Sequence, residues 1–289
     1  MLSGGKARLV LAAGAFVLLG VAASTASAIA GANATCTGDL SNFPSSVGVL
    51  TGTYNGNVQV NGACAVTAGP AVVNGNLTLQ PGATLVAAFK GGALTVTGNL
   101  LVQNGATLIA GCNPISFSCV DDPTATTPIW VGGSLIANQS LGLVLHNTTI
   151  VGNETINGGG GGLDCVSTPG VFGLFQSPAY IDNEDGAVNG NLTINNVQTC
   201  WLGTLRINVG GNLINTNNTS ADPDGGEVIS NVVGANIICI NNSPAVQFGD
   251  SGGVPNEVRG NAIGQCGFNV LSPNPNGATS PQPISVKTS

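Results

Sequence analysis

Gly-Asn followed by alternating apolar residues recurs along this chain. It reads GNVQV at 56–60, GNLTL at 75–79, GNLLV at 98–102, GNETI at 152–156, GNLTI at 190–194 and GNLIN at 211–215. Weaker copies stand at 132–136 (GGSLI), 234–238 (GANII) and 260–264 (GNAIG). The first starts are 19 and 23 residues apart, and the step from 152 to 190 reads as two units of 19. A second phrase follows at a fixed offset, PGATLVA at 81–87 and NGATLIA at 104–110. Period-two alternation is a strand signal, and no helix-period stripe follows any copy. The alternation puts Leu77 and Leu79, then Leu100 and Val102, on one inward face. A single unit cannot bury that face, whereas stacked copies can, each strand pairing in parallel with the next coil roughly 4.8 Å away. The pattern predicts an all-β fold, a single-stranded parallel β-helix (solenoid) with coils of about 20 residues, side loops and disulfides. The Asn after each Gly is expected at a turn position that tolerates αL, and stacked Asn side chains predict a ladder between coils.

Two stretches break the rhythm. Residues 111–129 hold a short Cys-to-Cys loop and three prolines, and residues 157–189 hold the glycine run 158–162 and the acidic run Asp182-Asn183-Glu184-Asp185. Both are expected as irregular loops on a solenoid domain spanning 29–270. The Pro-, Ser- and Asn-rich tail 271–289 is expected to be disordered. The start reads as a secretory signal, 1–28: Lys6 and Arg8, an apolar run from Leu9 to Ala23, then Ala26-Ser27-Ala28 as a cleavage site. No later apolar run is long enough to span a bilayer, which predicts an exported chain without a membrane span.

Composition narrows the reading. Charged residues make up only 7% and aromatics 4%, with 44 glycines, which is unlike a disordered chain and suits closely spaced strands and tight turns. Beyond residue 28 only Lys90, Arg206, Arg259 and Lys287 oppose all 13 acidic residues, so no electrostatic footprint for nucleic acid exists. The eight cysteines, Cys36, Cys64, Cys112, Cys119, Cys165, Cys200, Cys239 and Cys266, all lie in the exported part. An even number there predicts four disulfides, and pairing of sequential neighbours is the expectation in a fold built of stacked coils. No CxxC pair exists and His146 is the single histidine, so no metal site or cofactor is expected.

The phrases GNLTL…PGATL and GNLLV…NGATL resemble those of bacterial β-helix proteins, including the polymer-forming bactofilins, over about residues 75–110. This chain departs from bactofilins in its export signal, length and cysteines. With its signal and its closing phrase at 256–266, the whole resembles the secreted right-handed parallel β-helix proteins of actinobacteria. That resemblance implies fold and address rather than a reaction.

The chemistry-bearing motifs are sparse. GDSGG at 249–253 resembles the nucleophile segment of trypsin-like serine proteases, but a nucleophilic Ser251 needs a positioned His and Asp, and His146 sits in an alternating strand of a solenoid. The same letters make a good turn between coils. Acid–base work on a glycan needs paired carboxylates. Candidates are Asp121-Asp122, Asp182/Glu184/Asp185 and Asp222/Asp224/Glu227, all expected in irregular segments, the second also a Ca²⁺ candidate. The glycine run lacks the Lys-Ser/Thr of a phosphate loop. Tyr54, Trp130, Tyr180 and Trp201 are the large rings available to a sugar, and Asn76, Asn147, Asn153 and Asn191 stand in N-x-Ser/Thr sequons. These observations predict a secreted, non-enzymatic structural or binding β-helix of the cell surface or extracellular matrix, with no catalytic residues. Its expected partner is a cell-wall or extracellular polysaccharide, and self-association through coil ends is a further expectation. The rival is a polysaccharide lyase or hydrolase.

Overall fold

The computed structural model describes residues 33–247, 253–269 and 282–283. The signal segment 1–28 and nearly all of the tail lie outside the described residues, as does GDSGG apart from Gly253. The chain winds into a right-handed-type parallel β-solenoid of about 10 turns. Its coils average about 23 residues, longer than the 20 expected. The difference lies in the excursions at 111–128 and 160–180, which lengthen the coils that hold them; coils of 19 residues, Val58 to Leu77 and Leu135 to Glu154, already carry a third strand. What reads in sequence as a variable return carries short rungs such as Ala71–Val73, Leu94–Val96 and Ile129–Val131, which pair in register along a third face.

One coil shows the plan. Leu77–Leu79 lies on the first face, Thr84–Ala87 on the second and Leu94–Val96 on the third. Leu77 stacks between Val58 and Leu100, and Leu100 is followed by Leu135. All four are fully buried, the inward stack that the alternation predicts. The shared outer wall of the second face is covered rather than solvated. The 111–128 loop and the 160–180 insertion lay Phe117 and Phe172 over it, next to Ile109 and Val144.

Gly and Asn of the repeat have a sharper role than turn-forming. None of the repeat asparagines Asn57, Asn76, Asn99, Asn153, Asn191 and Asn212 has a positive φ. The side-chain oxygen of each one accepts the backbone N–H one coil on: Asn57 from Asn76 at 2.9 Å, Asn76 from Asn99 at 2.8 Å, Asn99 from Ser134 at 2.8 Å. The ladder continues through Asn153, Asn191, Asn212 and Asn236 to Asn261. Ser134 substitutes its hydroxyl in the weak copy GGSLI. The preceding Gly is dictated by close approach: a Cβ on Gly98 would stand 2.5 Å from Asn76 Oδ1 and 2.7 Å from the Gly75 carbonyl oxygen. Left-handed residues occur instead where strands end, at Asn147, Asp185, Arg206 and Ser230 after second-face strands and at Asn196, Asn217 and Asn241 after first-face strands.

The disulfides are Cys36–Cys64, Cys112–Cys119, Cys165–Cys200 and Cys239–Cys266. The first and last tie the outer described coils to their neighbours. The middle two close the 112–119 loop and fasten the 160–180 insertion.

Two expectations are overturned here. The stretch between GNETI and GNLTI is one coil, not two, because Glu154–Gly159 pairs directly with Leu192–Asn195. Residues 157–189 are also not one irregular loop. Ile181–Glu184 is a rung of the second face, in register with Gly142–His146, and Ala187–Val188 is a rung of the third. Charge obscured that rung. The acidic run reads as surface, yet its alternation is that of its neighbours, and the covering loops turn its outward positions into an interior.

Candidate functional site

Along the second face, the outward position at the strand end is His146 in one coil and Glu184 in the next. Each strand of this face then turns through a left-handed residue: Asn147 after His146, Asp185 (φ 55°) after Glu184 and, one coil on, Arg206 (φ 56°) after the Leu202–Leu205 rung. Identical turns in stacked coils place the last two side chains together, and Arg206 Nε donates to Asp185 Oδ1 at 2.5 Å. Arg206 also pairs with Glu184. Asp182, at the other outward position of its rung, accepts from His146 Nε2 at 3.1 Å. The disulfide loop closes the top. Asn113 Oδ1 accepts the Ile115 and Ser116 amides, which shapes the loop, and the Ser116 hydroxyl donates to Asp185 Oδ2 while lying 3.3 Å from His146 Nδ1. Phe117 stacks on the imidazole, centroids 4.8 Å apart and planes 8° from parallel. The His146 side chain is only 2% exposed.

Electrostatics follow from this packing. Burial alone would lower the His146 pKa, but the charge and hydrogen bond of Asp182, with Asp185 and Glu184 behind it, push it up to about 9. Burial and the charge of Asp182 push Glu184 up, against His146 and Arg206. Asp185 is held well below the usual carboxylate range: burial opposes this, but His146 beside it and hydrogen bonds from Arg206 and Ser116 prevail. Burial next to Asp182 and Glu184 pushes the Tyr180 phenol up. A cationic imidazole cannot accept a proton, and Ser116 gives its own to Asp185, so the Ser116–His146–Asp182 line is not an activated nucleophile.

The placement of the acidic candidates is corrected in part. Asp182 and Glu184 are strand residues of the second face, and so is Glu227, which stands two rungs from Asp182 in the same register through Gly203. The Trp201 ring covers Gly203, and Tyr180 meets Trp201 edge-on at 6.2 Å. Asp121 and Asp122 lie in the expected loop, where Asp121 accepts the Lys90 amide at 2.7 Å and Asp122 pairs with Lys90 Nζ at 2.8 Å. Asp222 and Asp224 sit in a turn. Trp130 is partly exposed on the third face.

Two features escaped sequence reasoning. Glu154 occupies the inward position that Leu135 and Leu192 hold in the flanking coils. It is fully buried, accepts from Asn183 Nδ2 at 2.8 Å, and burial pushes its carboxyl up to about 8. The alternation of GNETI against GNLTI carries that signal. The second feature is a groove of about 310 Å³ between the 139, 159–162 and 196–198 segments. It is lined by Gln139, Asn196 and Gln198 together with Gly159, Gly161 and Gly162.

These elements define an all-β parallel solenoid stapled by four disulfides. Four disulfides fit an oxidising, extracytoplasmic setting, and among the described residues no helix is long and apolar enough to cross a membrane. No protein-family model, no curated protein and no solved structure matches the chain.

Proposed function

We propose that this chain is a secreted, non-enzymatic β-solenoid that serves as a rigid structural or binding element of the cell surface or extracellular matrix, with a polysaccharide as its partner. The observation that carries the reading is the unbroken stack of about 10 turns whose outer described coils and side excursions are each fixed by a disulfide. Such a body resists bending and local unfolding because every inner coil is paired on both sides. The signal-like start and the resemblance to secreted actinobacterial β-helix proteins support export. The amide-lined groove supports a neutral, hydroxyl-rich ligand, since each carboxamide both donates and accepts. Co-sedimentation of the disulfide-intact mature protein with purified cell walls of its host tests the reading. Pelleting that neutral oligosaccharides compete away is expected, and protein that stays in the supernatant at every wall concentration sinks wall attachment.

A glycan-cleaving role draws on one observation, the pair Asp182 and Glu227 in one register with Trp201 between them. Two rungs separate them by roughly 10 Å, near the upper end for an inverting acid–base pair. Release of reducing ends from wall glycans, abolished by Glu227→Gln, would favour it over the structural role.

A further inference from the structure

Three elements aim donor atoms at one point beneath the 112–119 loop. His146 Nδ1 comes from one rung, Glu184 and Asp185 from the next, and Ser116 Oγ from the disulfide loop. The Nδ1 atom lies 3.9 Å from Glu184 Oε2, 3.9 Å from Asp185 Oδ2 and 3.3 Å from Ser116 Oγ. One nitrogen and two carboxylate oxygens fall within 4.8 Å of one another. Ligands about 2.1 Å from a tetrahedral ion stand roughly 3.4 Å apart, so the imidazole must close on each carboxylate by about half an ångström and the widest separation in the set by up to about 1.4 Å.

This cluster is more than a patch of acids. Its imidazole is buried, and Asp182 holds the opposite ring nitrogen, the arrangement that fixes tautomer and raises basicity in ligating histidines. Asp182 keeps a second buried oxygen, Oδ1, without a hydrogen-bond partner. The Ser116 hydroxyl donates to Asp185, so Nδ1 faces only the oxygens of Ser116, Glu184 and Asp185, and a metal ion there takes the place of the proton that the imidazolium carries. Glu184 and Asp185 pair with the Arg206 guanidinium, and Asp182 pairs with the His146 imidazole. A dication that displaces the imidazole proton leaves the three carboxylates balanced by the ion and Arg206.

From this convergence we propose that His146, Glu184, Asp185 and Ser116 form a binding site for a divalent transition-metal ion of the zinc class, with Asp182 as the positioning residue. One imidazole with two carboxylates suits zinc or manganese; a nitrogen donor does not suit calcium or magnesium. Arg206 holds Asp185 at Oδ1 (2.5 Å) and at Oδ2 (3.3 Å) and holds Glu184 at Oε2, so the ion enters as the guanidinium gives up Glu184 Oε2 and its longer contact to Asp185 Oδ2 and keeps Asp185 Oδ1. The ion ties the disulfide loop to two coils of the solenoid. Its role is structural, a cross-link between loop and stack; Phe117 covers the imidazole, and the exposed Ser116 and partly exposed Asp185 leave the ion a path from solvent.

The test uses the tag-free, disulfide-intact protein, stripped with a chelator and titrated with zinc against a chromophoric competitor. One zinc per chain with a sub-micromolar Kd is expected, together with a higher melting temperature. Glu184→Gln and Asp185→Asn should each weaken binding at least tenfold. Asp182→Asn should weaken it about 10–100-fold while keeping the ligand set, as outer partners of ligating histidines do. The zinc X-ray absorption spectrum of the wild type should show one imidazole among oxygen ligands, a readout that does not depend on any variant folding. Wild-type protein that takes up neither zinc nor manganese overturns the site, and so does a spectrum without imidazole or affinity unchanged in Asp185→Asn.

Discussion

At the scale of the residue, Glu154 is the sharpest anomaly. A carboxylate stands in a column of leucines, fully buried, with one hydrogen bond from Asn183. Its folded pKa, about 8, lies above the ordinary 4.5. A raised pKa means that the folded state prefers the proton. The stability linked to Glu154 is therefore fully present below pH 4.5 and is lost as pH rises through about 8. Glu154→Gln keeps the hydrogen-bond acceptor and removes the titration. The stability difference between variant and wild type in urea should be small at pH 4 and grow in favour of Gln to a few kcal/mol at pH 9 (about 1.4 kcal/mol per pKa unit). A difference that stays flat with pH would show that Glu154 is not desolvated. Gly98 is a simpler case. Its missing Cβ leaves room for the Gly75 carbonyl and the Asn76 side chain of the preceding coil. Gly98→Ala should cost about 1–3 kcal/mol by overpacking, read as a lower urea midpoint.

At the scale of the element, the informative unit is the rung. Ile181–Glu184 follows the alternation of its neighbours, but its charges and the long insertion before it masked this. A polar side chain at an outward position reads as solvent-facing, and only the loop folded back over the second face makes it buried. The acidic cluster was legible as a cluster, whereas its join with His146 and Arg206 was not, since these residues meet by coil register across 36 and 21 positions. The insertion that hides the rung is fastened by Cys165–Cys200, which closes a 35-residue separation. Replacing both cysteines with serine should cost about 2–4 kcal/mol. Hydrogen exchange should speed up in 160–180 while the stack around Leu77 and Leu100 stays protected. Equal deprotection of both would mean that the insertion is integral to the core.

At the scale of the molecule, stability is a sum of coils and of interfaces between neighbours. The Asn ladder adds one bond per interface on one edge, from Asn57 to Asn261. Asn99→Ala removes the acceptor for the Ser134 amide and should cost about 1–2 kcal/mol, with the loss of protection centred on the two adjoining coils. Uniform loss along the rod would instead indicate a single cooperative unit.

The sequence by itself determined the parallel solenoid, its inward columns, the existence of an Asn ladder and the presence of eight cysteines in sequential order. Each of these is local or repeats at a fixed period, so the pattern carries the three-dimensional answer with it. Tertiary structure alone decided the third face, the count of coils across 152–190, the burial of Asp182 and Glu184, and the meeting of His146, Ser116, Asp185 and Arg206. These depend on where an aperiodic loop of unpatterned length folds back. Chain period fixes the column in which a residue stands, and only packing decides whether water reaches it.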